Sequence, residues 1–123
     1  MNLLNTAVAC GVAVMLVTSA SAGGMKRIKK EKDFLALVLG KKLVVNTGWA
    51  VIKADGTTNG KFTTGKWVGA WKWSKGYYCS AGHLGGKERP TDCFLAKSDG
   101  SILQLTSNKG KGKDKRVVDW RIE

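Results

Sequence analysis

The sequence predicts an all-β fold: a small antiparallel up-and-down meander or barrel of about seven strands, with one short N-terminal helix, after a signal peptide. Three observations lead there. In Lys66 to Ser74, Trp67, Gly69, Trp71 and Trp73 alternate with Lys72 and its neighbours, and a period of two is the signature of a strand. Turn signals such as Asp55-Gly56, Lys75-Gly76 and Asp99-Gly100 punctuate the chain at the spacing of about 8 to 12 residues expected between short strands. A length of 123 residues, with 16 Gly and a single Pro, allows one turn-rich domain and excludes a two-domain enzyme.

The first segment is uncharged up to Lys26, and Ala7 to Val17 is an apolar run of 11 residues followed by Ala20-Ser21-Ala22. That pattern predicts a signal peptide over 1–22 and a single small domain over 23–123. The apolar run is shorter than the roughly 20 residues a bilayer span needs. Met1 to Thr6 lacks the usual Lys or Arg, and Cys10 lies too early in the run to serve as a lipid anchor. The predicted destination is the periplasm or the medium. In such an oxidising compartment the two remaining cysteines, Cys79 and Cys93, are expected to form a disulfide. Closing a loop of this size is worth roughly 3 kcal/mol, which matters in a domain whose core is small.

The elements follow in order. Met25 to Lys32 is a basic lead-in, expected to be mobile. A short helix is expected near 33–39, with Asp33 capping the first turn, Phe34, Leu37 and Val38 on one face, and Gly40 as its stop. Strands follow at Leu43 to Val45 and Trp49 to Lys53, then a turn at Asp55-Gly56 and a returning strand from Thr58 to Thr63. Lys66 to Ser74 and Tyr77 to Ser80 pair across Lys75-Gly76. His83 to Thr91 is expected as a long loop closed by the disulfide. Phe94 to Lys97 and Ile102 to Ser107 form a hairpin, and Val118, Trp120 and Ile122 alternate in a last strand. Gly69 among the tryptophans marks a bend, or a place where an indole lies over the backbone.

The block Gly65-Lys66-Trp67, Trp71-Lys72-Trp73-Ser74-Lys75-Gly76-Tyr77-Tyr78-Cys79, Asp92-Cys93 and Leu105 to Gly110 resembles a group of small exported alphaproteobacterial proteins. These share a GxWxWxxGYxC core and a second Cys over nearly the whole domain. The resemblance implies a structural framework rather than a reaction. Some members of such groups carry a dihydrodipicolinate reductase label. That activity requires a dinucleotide-binding fingerprint between a strand and a helix, and the domain sequence contains none.

Few residues offer chemistry. His83 is the only histidine and is the centre of a small-hydrolase alternative, in a glycine setting that could expose a general base. Asp55 and Asp99 are explained by their turns; Glu88, Asp92, Asp114 and Asp119 form no evident acid/base pair. A metal reading of Cys79 and Cys93 needs two further ligands that the spacing does not provide, so neither a metal nor another cofactor is expected. The distinctive polar segment is Lys109-Gly110-Lys111-Gly112-Lys113-Asp114-Lys115-Arg116. Within a net charge of +12, such a glycine-rich basic loop concentrates anions.

The leading expectation is therefore a non-catalytic exported binding or envelope-associated domain. Lys109, Lys111, Lys113, Lys115 and Arg116 would contact an anionic partner: an acidic glycan, lipopolysaccharide or extracellular nucleic acid. The rival is a lipocalin-like pocket for a small apolar ligand, built from the tryptophan face. Trp67, Trp71 and Trp73 are expected in the core, and Trp49 and Tyr77 on the surface. A barrel this small is expected to fill its interior with its own side chains; an internal cavity larger than a few water molecules would favour the rival.

Overall fold

The computed structural model describes residues 24–123; the signal peptide expected over 1–22 lies outside the described residues. The domain is all-β with one short helix. Its strands are β1 (Lys26–Arg27), β2 (Leu43–Val45), β3 (Gly48–Ile52), β4 (Thr57–Phe62), β5 (Gly65–Ser74), β6 (Tyr77–Leu84), β7 (Lys87–Ser98), β8 (Ile102–Thr106) and β9 (Val117–Ile122), and helix α1 spans Glu31–Val38. Neighbours in sequence pair antiparallel from β2 through β9, and β2 pairs β9. The result is a closed eight-stranded barrel with β1 added outside the ring.

β7 closes the ring by changing partners. Its first part pairs β6, down to Tyr78↔Phe94. From Leu95↔Thr106 to Ser98↔Leu103 it pairs β8. Where β6 ends, β1 takes up the free edge through Arg27↔Lys97 and Lys26↔Ser98, and the Ile28 N–H donates to the Ala96 carbonyl at 2.9 Å. The basic lead-in expected to be mobile is thus tied down, with Ile28 buried. An open strand edge exposes unpaired backbone groups, and this short segment satisfies some of them.

α1 begins two residues before the expected start. Lys30 takes the N-cap position without a side-chain hydrogen bond, and Asp33 lies within the first turn. Gly40 ends the helix as predicted, at φ +75°. The helix plugs one end of the barrel. Phe34, fully buried, packs its ring 5.0 Å from Trp73, 5.1 Å from Tyr78 and 6.2 Å from Trp71. Val38, Leu43, Ile52, Ala96, Leu103 and Leu105 complete this core. Two turns of helix gain their stability from such docking rather than from propensity.

The segment from His83 to Thr91 is not a long loop. β6 runs on to Leu84 and β7 starts at Lys87, leaving a tight turn at Gly85 (φ +61°) and Gly86 (φ +85°). Positive φ at both central positions is the hairpin turn that matches strand twist. The alternation that identifies β5 is lost here to short and charged side chains. Pro90 lies where the β6–β7 register shifts, between Ser80↔Asp92 and Gly82↔Arg89, a position that tolerates a missing N–H. Asp55 and Asp99 build their turns as expected. Asp55 Oδ1 accepts from the Thr57 N–H (2.9 Å) and hydroxyl (2.6 Å), and Asp99 Oδ1 accepts from the Ser101 and Ile102 N–H groups. The Thr57 hydroxyl holds the Asp55 carboxyl below its usual range, and the Ser101 N–H does the same for Asp99.

Cys79 and Cys93 sit directly opposite each other on β6 and β7 and form the disulfide. Reduction is expected to lower the unfolding free energy by roughly 3 kcal/mol, measured by urea denaturation with and without thiol. Phe34→Ala is expected to cost about 3–5 kcal/mol in the same assay, because α1 loses its anchor against the barrel.

Candidate functional site

The inward faces of the strands leave a cavity of about 480 Å³. The space is half open to solvent, and the interior is not wholly filled by its own side chains, contrary to the sequence expectation. Aromatic bulk from Phe34, Trp71, Trp73 and Tyr78 gathers at the helix end, and the space lies toward the other end, where the lining includes the smaller side chains of Ala50, Thr58, Ser80 and Thr91. Leu43, Ala50, Ile52, Phe62, Leu105 and Trp120 supply most of the apolar wall.

Trp67 shapes that wall. It lies near the start of β5 and points inward, as the alternation predicts, and its indole lies back over Gly69 and the cross-strand Gly82. A Cβ built on Gly69 would stand 2.7 Å from the Trp67 ring, and one on Gly82 2.9 Å from it. The indole over backbone predicted at Gly69 is observed. The indole N–H points to Thr58 Oγ1 at 3.3 Å, and the Thr58 hydroxyl donates to the Val51 carbonyl at 2.9 Å. Further along, the Trp71 indole donates to the Lys53 carbonyl at 2.8 Å. Trp120 packs edge-on to Phe62 at 6.0 Å, and its buried N–H has no hydrogen-bond partner among the described residues. Tyr78 closes the deep side. Burial pushes its hydroxyl up to about 12, against the opposing pull of the Thr58 and Ser80 side chains, so it stays neutral.

The cavity opens where β7 and β8 are not yet paired. The first half of β7 leaves a slot facing the start of β9, lined by Arg89, Pro90, Thr91 and Asp92 on one side and Arg116 and Val118 on the other. Asp92 bridges this slot. Its Oδ1 accepts the Asn108 N–H at 3.0 Å, and its Oδ2 lies 3.8 Å from Arg116 Nη2.

The five basic residues singled out in the sequence separate into two groups. The Ser107 N–H donates to the Arg116 carbonyl at 2.9 Å, and the Arg116 N–H donates to the Ser107 hydroxyl at 2.7 Å. This pinch places Arg116 at the cavity rim. Lys109, Lys111, Lys113 and Lys115 belong to the exposed excursion beyond it. Lys109 folds back over the Tyr77 ring (5.4 Å), where Arg27 also lies (5.0 Å). Tyr77 and Trp49 face outward, as expected, yet both are half-buried; Lys42 Nζ covers Trp49 at 4.6 Å.

His83 is exposed on the outer wall opposite Glu88, whereas Asp92 lines the interior. The fold thus does not collect the groups of the hydrolase alternative into one cleft. Among the described residues, no group of three His, Cys, Asp or Glu side chains could hold a metal ion. Sequence reasoning missed Arg89, which it assigned to a loop; its position six residues before Leu95 becomes informative only once the β7 register is known.

Gly69→Ala is expected to push the Trp67 indole off the wall and cost about 1–3 kcal/mol, with a shift in tryptophan emission. Tyr78 makes a pH prediction. Its hydroxyl value is raised in the folded state above the ordinary 10.0, so the stabilisation is complete below the unfolded value and is lost as pH rises toward 12. Tyr78→Phe should lack that alkaline loss in thermal melts. Comparison with protein-family models, curated proteins and solved structures finds no match for this chain.

Proposed function

We propose that this chain is an exported, non-catalytic binding protein that holds a small, largely apolar molecule inside its barrel. The observation that carries this reading is the 480 Å³ cavity. Small-molecule sites typically occupy about 300–1,000 Å³, mostly apolar with a few placed polar groups. Here Thr58, Ser80 and Tyr78 supply polar groups within the wall, and the slot gives access from solvent. Export fits the Cys79–Cys93 disulfide and the leader-like first 22 residues. Resemblance to small exported alphaproteobacterial proteins agrees with that location and supplies no reaction.

A second reading keeps the basic loop as the contact for an anionic partner, such as an acidic glycan. It is favoured by the four exposed lysines beyond the Ser107–Arg116 pinch, none of which forms a salt bridge among the described residues. The two readings occupy different surfaces and separate cleanly by mutation.

Ala50 is buried and lines the cavity, so Ala50→Phe fills space without adding charge. The wild-type protein is expected to bind a neutral apolar probe such as naphthalene, reported by quenching of Trp67 and Trp120 emission, and Ala50→Phe to lose that binding while retaining a cooperative melt. Retained binding in a folded Ala50→Phe protein would refute the cavity reading. Replacing Lys109, Lys111, Lys113 and Lys115 with Gln should leave naphthalene binding unchanged and weaken salt-dependent retention on an immobilised sulfated glycan.

A further inference from the structure

We infer that the molecule taken into the cavity is an amphiphile with an anionic head group, a carboxylate or phosphate, and that Arg89 and Arg116 hold this head at the slot. The inference rests on the preceding reading of the cavity and adds the polarity and orientation of its occupant.

Both arginines belong to the lining of the same largely apolar cavity. Their positions are set by backbone. Arg89 lies opposite Gly82 across the β6–β7 ladder, beside the Trp67 indole that covers that glycine. Arg116 is fixed at its main chain by the reciprocal hydrogen bonds to Ser107. Both side chains reach solvent, so neither pays the full desolvation cost of a buried charge in the empty protein.

Their hydrogen-bonding capacity is largely unspent. Arg89 forms no salt bridge among the described residues. Arg116 faces Asp92 at 3.8 Å, beyond hydrogen-bond length. Among the described residues Asp92 is the only carboxylate in the lining, and its other oxygen is engaged by the Asn108 N–H. The rim therefore carries two positive groups against one negative group already committed to anchoring the loop. A planar guanidinium fork matches a carboxylate or phosphate with two parallel hydrogen bonds. The lysine excursion beyond the pinch adds a positive field that concentrates anions near the same opening. An amphiphile entering tail first would bury its chain against Leu43, Ile52, Leu105 and Trp120 and leave its head between β7 and β9.

The test compares three probes of equal chain length, decanoate, decanol and decylamine, with the oxidised protein at low salt. Binding is followed by tryptophan emission and calorimetry. Decanoate is expected to bind about tenfold or more tighter than decanol, the worth of one charge-assisted hydrogen bond, with decylamine weakest. Added salt should shrink the preference. The Arg89→Gln/Arg116→Gln variant should bind decanoate and decanol alike. Asp92→Asn keeps an acceptor for Asn108 and removes the competing charge, so it should strengthen decanoate binding alone. Equal affinity for all three probes in the wild-type protein overturns the head-group inference and leaves the cavity reading standing. A decanoate preference that survives the double arginine substitution overturns the assignment to these residues. Failure of all three probes to bind overturns the cavity reading itself, and the inference with it. Inorganic phosphate added against bound decanoate distinguishes the head alone from the amphiphile: full displacement at micromolar phosphate would make this an anion site and overturn the requirement for a tail.

Discussion

The barrel depends on one strand serving two partners. β7 gives its first part to β6 and its last four residues to β8, and no other β7 pairing closes the ring. Everything distinctive about the interior follows from this division. The ring is sealed at the helix end, where β1 also covers the edge that β6 relinquishes. It is unsealed at the other end, where the first half of β7 has no partner on its second side. An unpaired strand edge is ordinarily a liability; Pro90, a bulge and flanking charge make this one a poor template for pairing with another chain. The disulfide at Cys79↔Cys93 secures β6 to β7 beside the point where the partner changes.

Packing density divides along the same axis. The helix end is occupied by aromatic rings in mutual contact, with Phe34 inserted among Trp71, Trp73 and Tyr78. Toward the slot, the Trp67 indole packs against Gly69 and Gly82. The Trp67 indole is thus one wall of the space it leaves. Glycine at both positions is a packing requirement here, since any side chain would meet the ring or the neighbouring backbone.

Much of the architecture was legible in the sequence because it rests on local signals. The alternation of Trp67, Gly69, Trp71 and Trp73, the Asp-Gly turns, the Gly40 stop and the opposed cysteines all act over a few residues. Less legible were features set by distant partners. Lys26 and Arg27 read as a mobile basic lead-in because nothing local marks them as a strand; their partners lie some 70 residues away on β7. Residues 87–93 combine four charged side chains with a proline, so their period is hidden although the backbone is extended. The cavity was invisible for a similar reason. Composition counts the tryptophans but not the direction in which Trp67 folds, and the partition of the basic segment at Ser107 and Arg116 requires hydrogen bonds that span nine positions.

That partition has a mechanical meaning. Clamped at its two feet, the lysine-bearing excursion is also docked over its first turn, through Asn108 on Asp92, Lys109 on Tyr77 and Gly110 against Leu95; only beyond Lys111 can it lengthen, shorten or change composition with little strain transmitted to the strands beneath it. The influence of that outer stretch on the doorway is exerted through water, as a potential that ionic strength can dial up or down, whereas the doorway's own dimensions stay fixed by the ladder and by the Asn108–Asp92 hydrogen bond. Evolution, or an engineer, could retune what gathers outside this vessel without reshaping what fits within.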